Sequence, residues 1–145
     1  MSVLPPGLPS PRPEPDGLSA PYWTGLRTEK LMVQRCGSCD TAQFGPEWIC
    51  HNCHSFDLGW TEIAPTGRIY SWERVWHPVH PALRGATPYL IVLVEHEAGI
   101  RLLGNLLGPA EQPVVIGAPV VGVFEHRTDA EPPFSLLHWR MKEAT

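Results

Sequence analysis

All four cysteines of the chain fall between Cys36 and Cys53, in "CGSCDTAQFGPEWICHNC", as two Cys-x-x-Cys pairs separated by ten residues. Nothing else in the sequence restricts the fold as strongly. A Cys-x-x-Cys turn sets two sulfurs on one tight knuckle, and two facing knuckles offer zinc the four-thiolate tetrahedron it prefers. The intervening residues suit a hairpin, with Gly45-Pro46 as a bend. A single pair would equally suit a redox dithiol, but a repeated pair points to metal. His51 and His54 flank Cys53 and leave a mixed Cys/His set open. Against that set, His51 directly follows a ligand and points away from it, and His54 could serve only by idling a thiolate. Cys36, Cys39, Cys50 and Cys53 are therefore the expected ligands of one zinc ion. Four thiolates close the coordination shell and leave no position for a reacting water, so the metal is expected to brace the fold rather than make bonds.

Around this module the chain divides into three stretches. Residues 1–19 form a proline-rich opening arm, expected to be flexible or to drape over a partner. Residues 20–60 hold a short helix and the ribbon. Ser19 is a candidate N-cap, Trp23, Leu26 and Lys30 share one side, and Gly25 weakens the helix. "KLMVQRC" leads into the first knuckle as a strand. Residues 61–145 turn strongly β. "GRIYSWERVWH" alternates Ile69, Ser71, Glu73 and Val75 against Tyr70, Trp72, Arg74 and Trp76, which makes Tyr70, Trp72 and Trp76 half core. "YLIVLVEHEAGIRLLGNLLG" predicts a hairpin turning near Glu97-Ala98-Gly99, and "PVVGVFEHR" and "FSLLHWRM" are two further strands. Five strands without a long helix predict a small closed β-barrel.

Charge and motif content narrow the function. The formal net charge is −4, and lysine occurs only at Lys30 and Lys142. A nucleic-acid module of ribbon and barrel is the first rival reading, and this balance argues against it, because phosphate-driven affinity needs clustered cations. A small independent enzyme is the second rival. It lacks a base–nucleophile pair, a nucleophile elbow and a phosphate-cradling glycine loop, and zinc leaves no cysteine to spare. His77 and His80 in "HPVH" have no third ligand at helical spacing and belong to a loop. The longest apolar run, Tyr89–Val94, suits a buried strand, so no membrane span is expected. The N-terminus shows no export signal, and a cytoplasmic location follows as an expectation.

The ordered motifs resemble a known family. Tyr22-Trp23, "KLMVQRC", the two knuckles, Trp60…Gly67-x-x-Tyr70-Ser71, Pro88-Tyr89, Gly99-x-Arg101-Leu102, Asn105-Leu106 and "IGAPV" at Ile116–Val120 follow one another as in the proteins catalogued as domain of unknown function thirty-five. Two positions depart from the family pattern: His54 and Glu29 stand where glycine is common. The resemblance implies a mainly β chain, with an N-terminal helix and rubredoxin-like zinc ribbon followed by a five-stranded OB-fold barrel. It also implies a partner. Family members assemble with thiolase-fold proteins, including sterol-carrier-protein-type thiolases and retro-aldolases, or with acyl-CoA hydratases. The chain is then expected to be a non-catalytic subunit of a hetero-oligomer that forms or cleaves carbon–carbon bonds in acyl-CoA substrates. Arg68, Arg101 and Asn105 are the expected contacts to coenzyme A, with Arg74 and Arg84 as further candidates: arginine forks match phosphate, and the Asn105 amide at a strand end suits pantetheine.

Overall fold

In a computed structural model, residues 12–14 and 16–143 are described. Most of the expected proline-rich arm, residues 1–11 and 15, lies outside them. Among the described residues one α-helix, α1 (Ala20–Arg27), is followed by a three-stranded sheet and a barrel. The sheet has the order β2–β1–β3, from β1 (Leu31–Cys36), β2 (Ala42–Gln43) and β3 (Leu58–Ile63). The barrel closes in the order β4–β5–β6–β8–β7, from β4 (Thr66–Val75), β5 (Tyr89–Glu95), β6 (Arg101–Leu106), β7 (Pro119–Arg127) and β8 (Phe134–Met141). This is the expected helix, ribbon and five-stranded barrel. β3 was not singled out as a strand from sequence; it pairs with β1 over six antiparallel positions and supplies the ribbon's second edge.

Ser19 precedes α1, but its hydroxyl does not cap the helix. It donates to the Asp16 carboxylate at 2.9 Å, and the backbone N–H groups of Ser19 and Leu18 donate to the same oxygen. Those bonds, led by the Ser19 backbone N–H, hold the Asp16 carboxyl below its ordinary pKa. Trp23 and Leu26 do face the core, whereas Lys30 lies beyond the helix and pairs with Glu62 at 3.3 Å. Gly25 has a packing role. A Cβ there would sit 2.5 Å from Met32 Cγ and 2.8 Å from the Lys30 carbonyl, so its absence lets α1 approach β1 closely. Tyr22 stacks edge-on with Trp23 and with Phe44 of the ribbon, at centroid distances of 5.0 and 5.2 Å. The helix also packs on β8. It is the joint between ribbon and barrel, and Leu26, Leu31 and Val33 share one apolar cluster with the barrel residues Val92, Leu102 and Trp139.

The barrel is filled by Leu90, Val92 and Val94 of β5, Leu102 and Leu106 of β6, Val120 of β7 and Trp139 of β8. Gly104 makes room for the indole, since a Cβ there would fall 2.9 Å from Trp139 Cδ1. The expected alternation in β4 is broken. A bulge between Ile69 and Ser71 inserts Tyr70 as an extra residue, so Ile69, Trp72 and Arg74 face inward while Tyr70, Ser71 and Glu73 face out. Of the three aromatic residues expected to be half core, Trp72 packs against the core; Tyr70 is 44% and Trp76 66% exposed. The predicted hairpin turn is present, closed by His96 N–H on the Ile100 carbonyl at 2.9 Å and tightened by Ala98 N–H on His96 Nδ1.

Candidate functional site

The two knuckles repeat one backbone design. Asp40 N–H donates to the Cys36 carbonyl at 2.9 Å, and His54 N–H to the Cys50 carbonyl at 3.0 Å. Cys36 N–H donates to the Thr41 carbonyl and Cys50 N–H to the Ser55 carbonyl, each at 2.9 Å. Asp40 and His54, each just after a knuckle, have φ of 61° and 62°. Glu29, just past α1, has φ 57°. Both departures from the family's glycines, His54 and Glu29, thus stand in left-handed backbone where a Cβ is strained. His54→Gly is expected to stabilise the protein by about 1 kcal/mol and raise its melting temperature by about 3 °C, which differential scanning calorimetry will read.

The geometry brings all four predicted cysteines together, with every sulfur within 4.8 Å of the others. Cys36 Sγ lies 3.6 Å from Cys53 Sγ, and Cys39 Sγ 3.7 Å from Cys50 Sγ. A disulfide would be about 2 Å. A tetrahedron of sulfurs around zinc, with bonds of about 2.3 Å, has edges of about 3.8 Å. The donor set therefore fits a closed four-thiolate zinc site, and such an ion would supply cross-linking between the knuckles. Among the described residues it is the one cluster of three or more potential donors so placed. Cys39 is held down to about 5 by the hydroxyl of Thr41, 3.2 Å from its sulfur, and by the Asn52 amide at 3.5 Å. For Cys53 the Ser55 backbone N–H favours the thiolate, but the facing Cys39 sulfur and burial win and push it up to about 12. A divalent cation between thiolates this close would remove their mutual repulsion.

Two residues missed by sequence reasoning hold the second knuckle in place. Gln34 and Gln43 are buried side by side on β1 and β2. Gln43 Nε2 donates to Gln34 Oε1 at 2.9 Å, and the Glu47 and His51 backbone N–H groups donate to the two side-chain oxygens. Gln34 Nε2 in turn donates to the Glu47 carbonyl at 2.9 Å. The available signal was an amide amid apolar neighbours in "MVQRC" and "TAQF", since a buried amide must find partners.

The expected coenzyme A contacts are not one constellation. Arg68, Glu95 and Arg101 are neighbours across β4, β5 and β6. Arg101 pairs with Glu95 at 3.0 Å and lies over the Tyr70 ring at 3.7 Å. Arg68 donates to the Gly117 carbonyl and borders a cleft of about 370 Å³ shared with Lys142, His96, Glu95 and Glu97. Asn105 lies four residues along β6 from Arg101 and donates to the Leu90 carbonyl. Arg74 is tied to the Ala110 and Gln112 carbonyls, and Arg84 is exposed after a short 3-10 turn, Pro81–Leu83. His80 accepts from Ala82 N–H to cap that turn. No described helix is long and apolar enough to cross a membrane.

Comparison with known proteins matches residues 23–59 to the ChsH2 rubredoxin-like zinc ribbon domain and residues 60–125 to the ChsH2 C-terminal OB-fold domain. The chain belongs to the ChsH2 family of DUF35 proteins. A solved structure described as an "Ltp2-ChsH2(DUF35) aldolase" contains a similar chain, 36% identical, with a TM-score of 0.76 over 90% of this chain and 98% of that one. A probable enoyl-CoA hydratase alpha subunit from Thermomonospora curvata is 40% identical over 77% of this chain, which spans only 34% of that protein's length. A DUF35 domain-containing scaffold protein from Methanocaldococcus jannaschii is 29% identical over 70% of this chain and 73% of its own.

Proposed function

We propose that this chain is a non-catalytic accessory subunit of a thiolase-type aldolase complex that cleaves or forms carbon–carbon bonds in acyl-CoA substrates. One observation carries the reading: its 36% identity to a chain of an assembly described as an Ltp2-ChsH2(DUF35) aldolase, over 98% of that chain. The donor chemistry agrees. Four cysteines that close a metal shell leave no open position, which suits a structural zinc. In this reading the partner supplies nucleophile and base, while the ribbon and barrel stabilise it and support the coenzyme A arm. Arg68 is the first candidate for that contact, because Arg101 is already engaged by Glu95 and Tyr70. Glu95 and Glu97 border the same cleft and would oppose a phosphate there, so Arg68 is proposed to act together with residues of the partner.

A second reading, a subunit of an acyl-CoA hydratase, rests on the 40% identity to the Thermomonospora curvata protein. Co-expression with a thiolase-type aldolase subunit and, separately, with a hydratase partner decides between them. The expected result is co-elution with the aldolase subunit, retro-aldol activity in the complex, and no turnover by this chain alone. Co-elution and hydration with the second partner only would replace the first reading with the second.

A further inference from the structure

A barrel wall that faces water alternates apolar and polar residues, whereas a strand covered on both sides is apolar throughout. β5 has the second pattern. Leu90, Val92 and Val94 point inward and are buried, yet the outward residues Ile91 and Leu93 are apolar as well. Leu93 is flanked in register by Leu103 of β6, which is 67% exposed, and Ile91 by Asn105. The bulge in β4 turns the ring of Tyr70 outward beside Arg101. Tyr70, Ile91, Leu93 and Leu103 thus share one outward face, apolar along β5 and β6 around Leu93 and Leu103 and bordered on β4 by Ser71 and Glu73.

The rim of this face says what fits it. Along its edge Arg101 is neutralised by Glu95 at 3.0 Å and stacked on Tyr70, and Arg68, the other neighbour of Glu95, donates to the Gly117 carbonyl. Arg68 and Arg101 are matched by Glu95 and Glu73 on the same side, so a nucleic-acid backbone or an anionic lipid surface would find no surplus of positive charge there. The similar chain of known structure comes from an assembly described by two components, which favours an unlike partner over a second copy.

We propose that the outer face of β5 and β6, centred on Leu93 and Leu103, is the surface that docks an uncharged apolar patch of the thiolase-type partner subunit. This rests on the accessory-subunit reading above. Apolar groups at the centre of an interface carry much of its affinity, and a charge buried there without a counter-ion opposes docking. The test is size-exclusion chromatography and titration of the full chain against that partner, for wild type, Leu103→Asp, Leu103→Lys and the control Val115→Asp. Val115 is 64% exposed and lies on the β6–β7 connection, on neither β5 nor β6. Both Leu103 variants are expected to keep zinc content and melting temperature, because the side chain is exposed, and to bind the partner at least ~100-fold more weakly. Val115→Asp is expected to bind as wild type does. Undiminished binding by the Leu103 variants overturns the docking face and leaves the accessory-subunit reading standing. Wild-type chain that binds no thiolase-type partner overturns that reading and this one with it. A wild-type homodimer that Leu103→Asp dissolves overturns the unlike partner in favour of a second copy.

Discussion

Replacing Cys36 with serine is expected to lower bound zinc well below one ion per chain and to destabilise the protein by about 5 kcal/mol or more. The size follows from what this sulfur does. Cys36 closes β1, is 1% exposed, and faces Leu58 at the end of the β1–β3 ladder. Its ion would tie β1 to the second knuckle, 17 residues later in the chain. Without that tie the second knuckle is held to β1 only through the two strand residues of β2 and the glutamine pair, with little apolar burial of its own. The damage travels, because Phe44 stacks on Tyr22 and α1 joins the ribbon to β8. Elemental analysis and a thermal melt check this, with a chelator reproducing the loss in wild type. The sign with pH is fixed too: thiolates must shed protons to bind metal, so zinc retention falls as pH falls. An unchanged melt would remove the structural role of the cluster.

The sequence made the metal site legible because ligand spacing is a covalent fact: two knuckles ten residues apart have few other uses. The barrel strands were legible for a similar local reason, since "PVVGVFEHR" and "FSLLHWRM" alternate between turn-forming flanks and coincide with β7 and β8. What failed were features set by neighbours across the sheet. The bulge at Tyr70 cannot be found by counting alternate residues, yet it decides which aromatics face the core. Gly25 looks like a weak point in a helix, and only the nearby Met32 side chain and Lys30 carbonyl reveal it as a contact. The glutamines that support the second knuckle needed the β1–β2 register to be seen as partners. Arg68 and Arg101 were read as phosphate contacts and Asn105 as a pantetheine contact from chemistry alone; only the register shows Asn105 four residues along β6 from Arg101, and Arg101 bonded to Glu95.

A last expected result concerns a polar pair inside the barrel wall. His138 Nε2 and Glu125 Oε2 lie 2.8 Å apart across β7 and β8, each side chain only 6% exposed, and Arg127 stands 3.9 Å from the other carboxylate oxygen. By alternation the pair lies on the face of β8 opposite Trp139. His138 Nδ1 is buried and has no hydrogen-bond partner, so Glu125 is the one side chain that satisfies this ring. Glu125→Ala would leave the buried His138 without the carboxylate, while Arg127 keeps Asp129 at 3.0 Å, and is expected to destabilise by about 4 kcal/mol, lowering the melting temperature by about 10 °C. Replacing both members, Glu125→Leu with His138→Leu, is expected to fall within about 1 kcal/mol of wild type, because the desolvation cost disappears along with the attraction. Chemical denaturation of the two variants reads the contrast. A double variant as weak as the single one would mean that the pair gives net stability. The expected near-neutrality means instead that its use is register. A one-residue slip of β8 against β7 would turn His138 into the barrel interior and separate it from Glu125, a penalty that an all-apolar pair would not impose. The docking face on β5 and β6 depends on the same closed ring, so the double variant, once folded in register, is expected to bind the partner as tightly as wild type does.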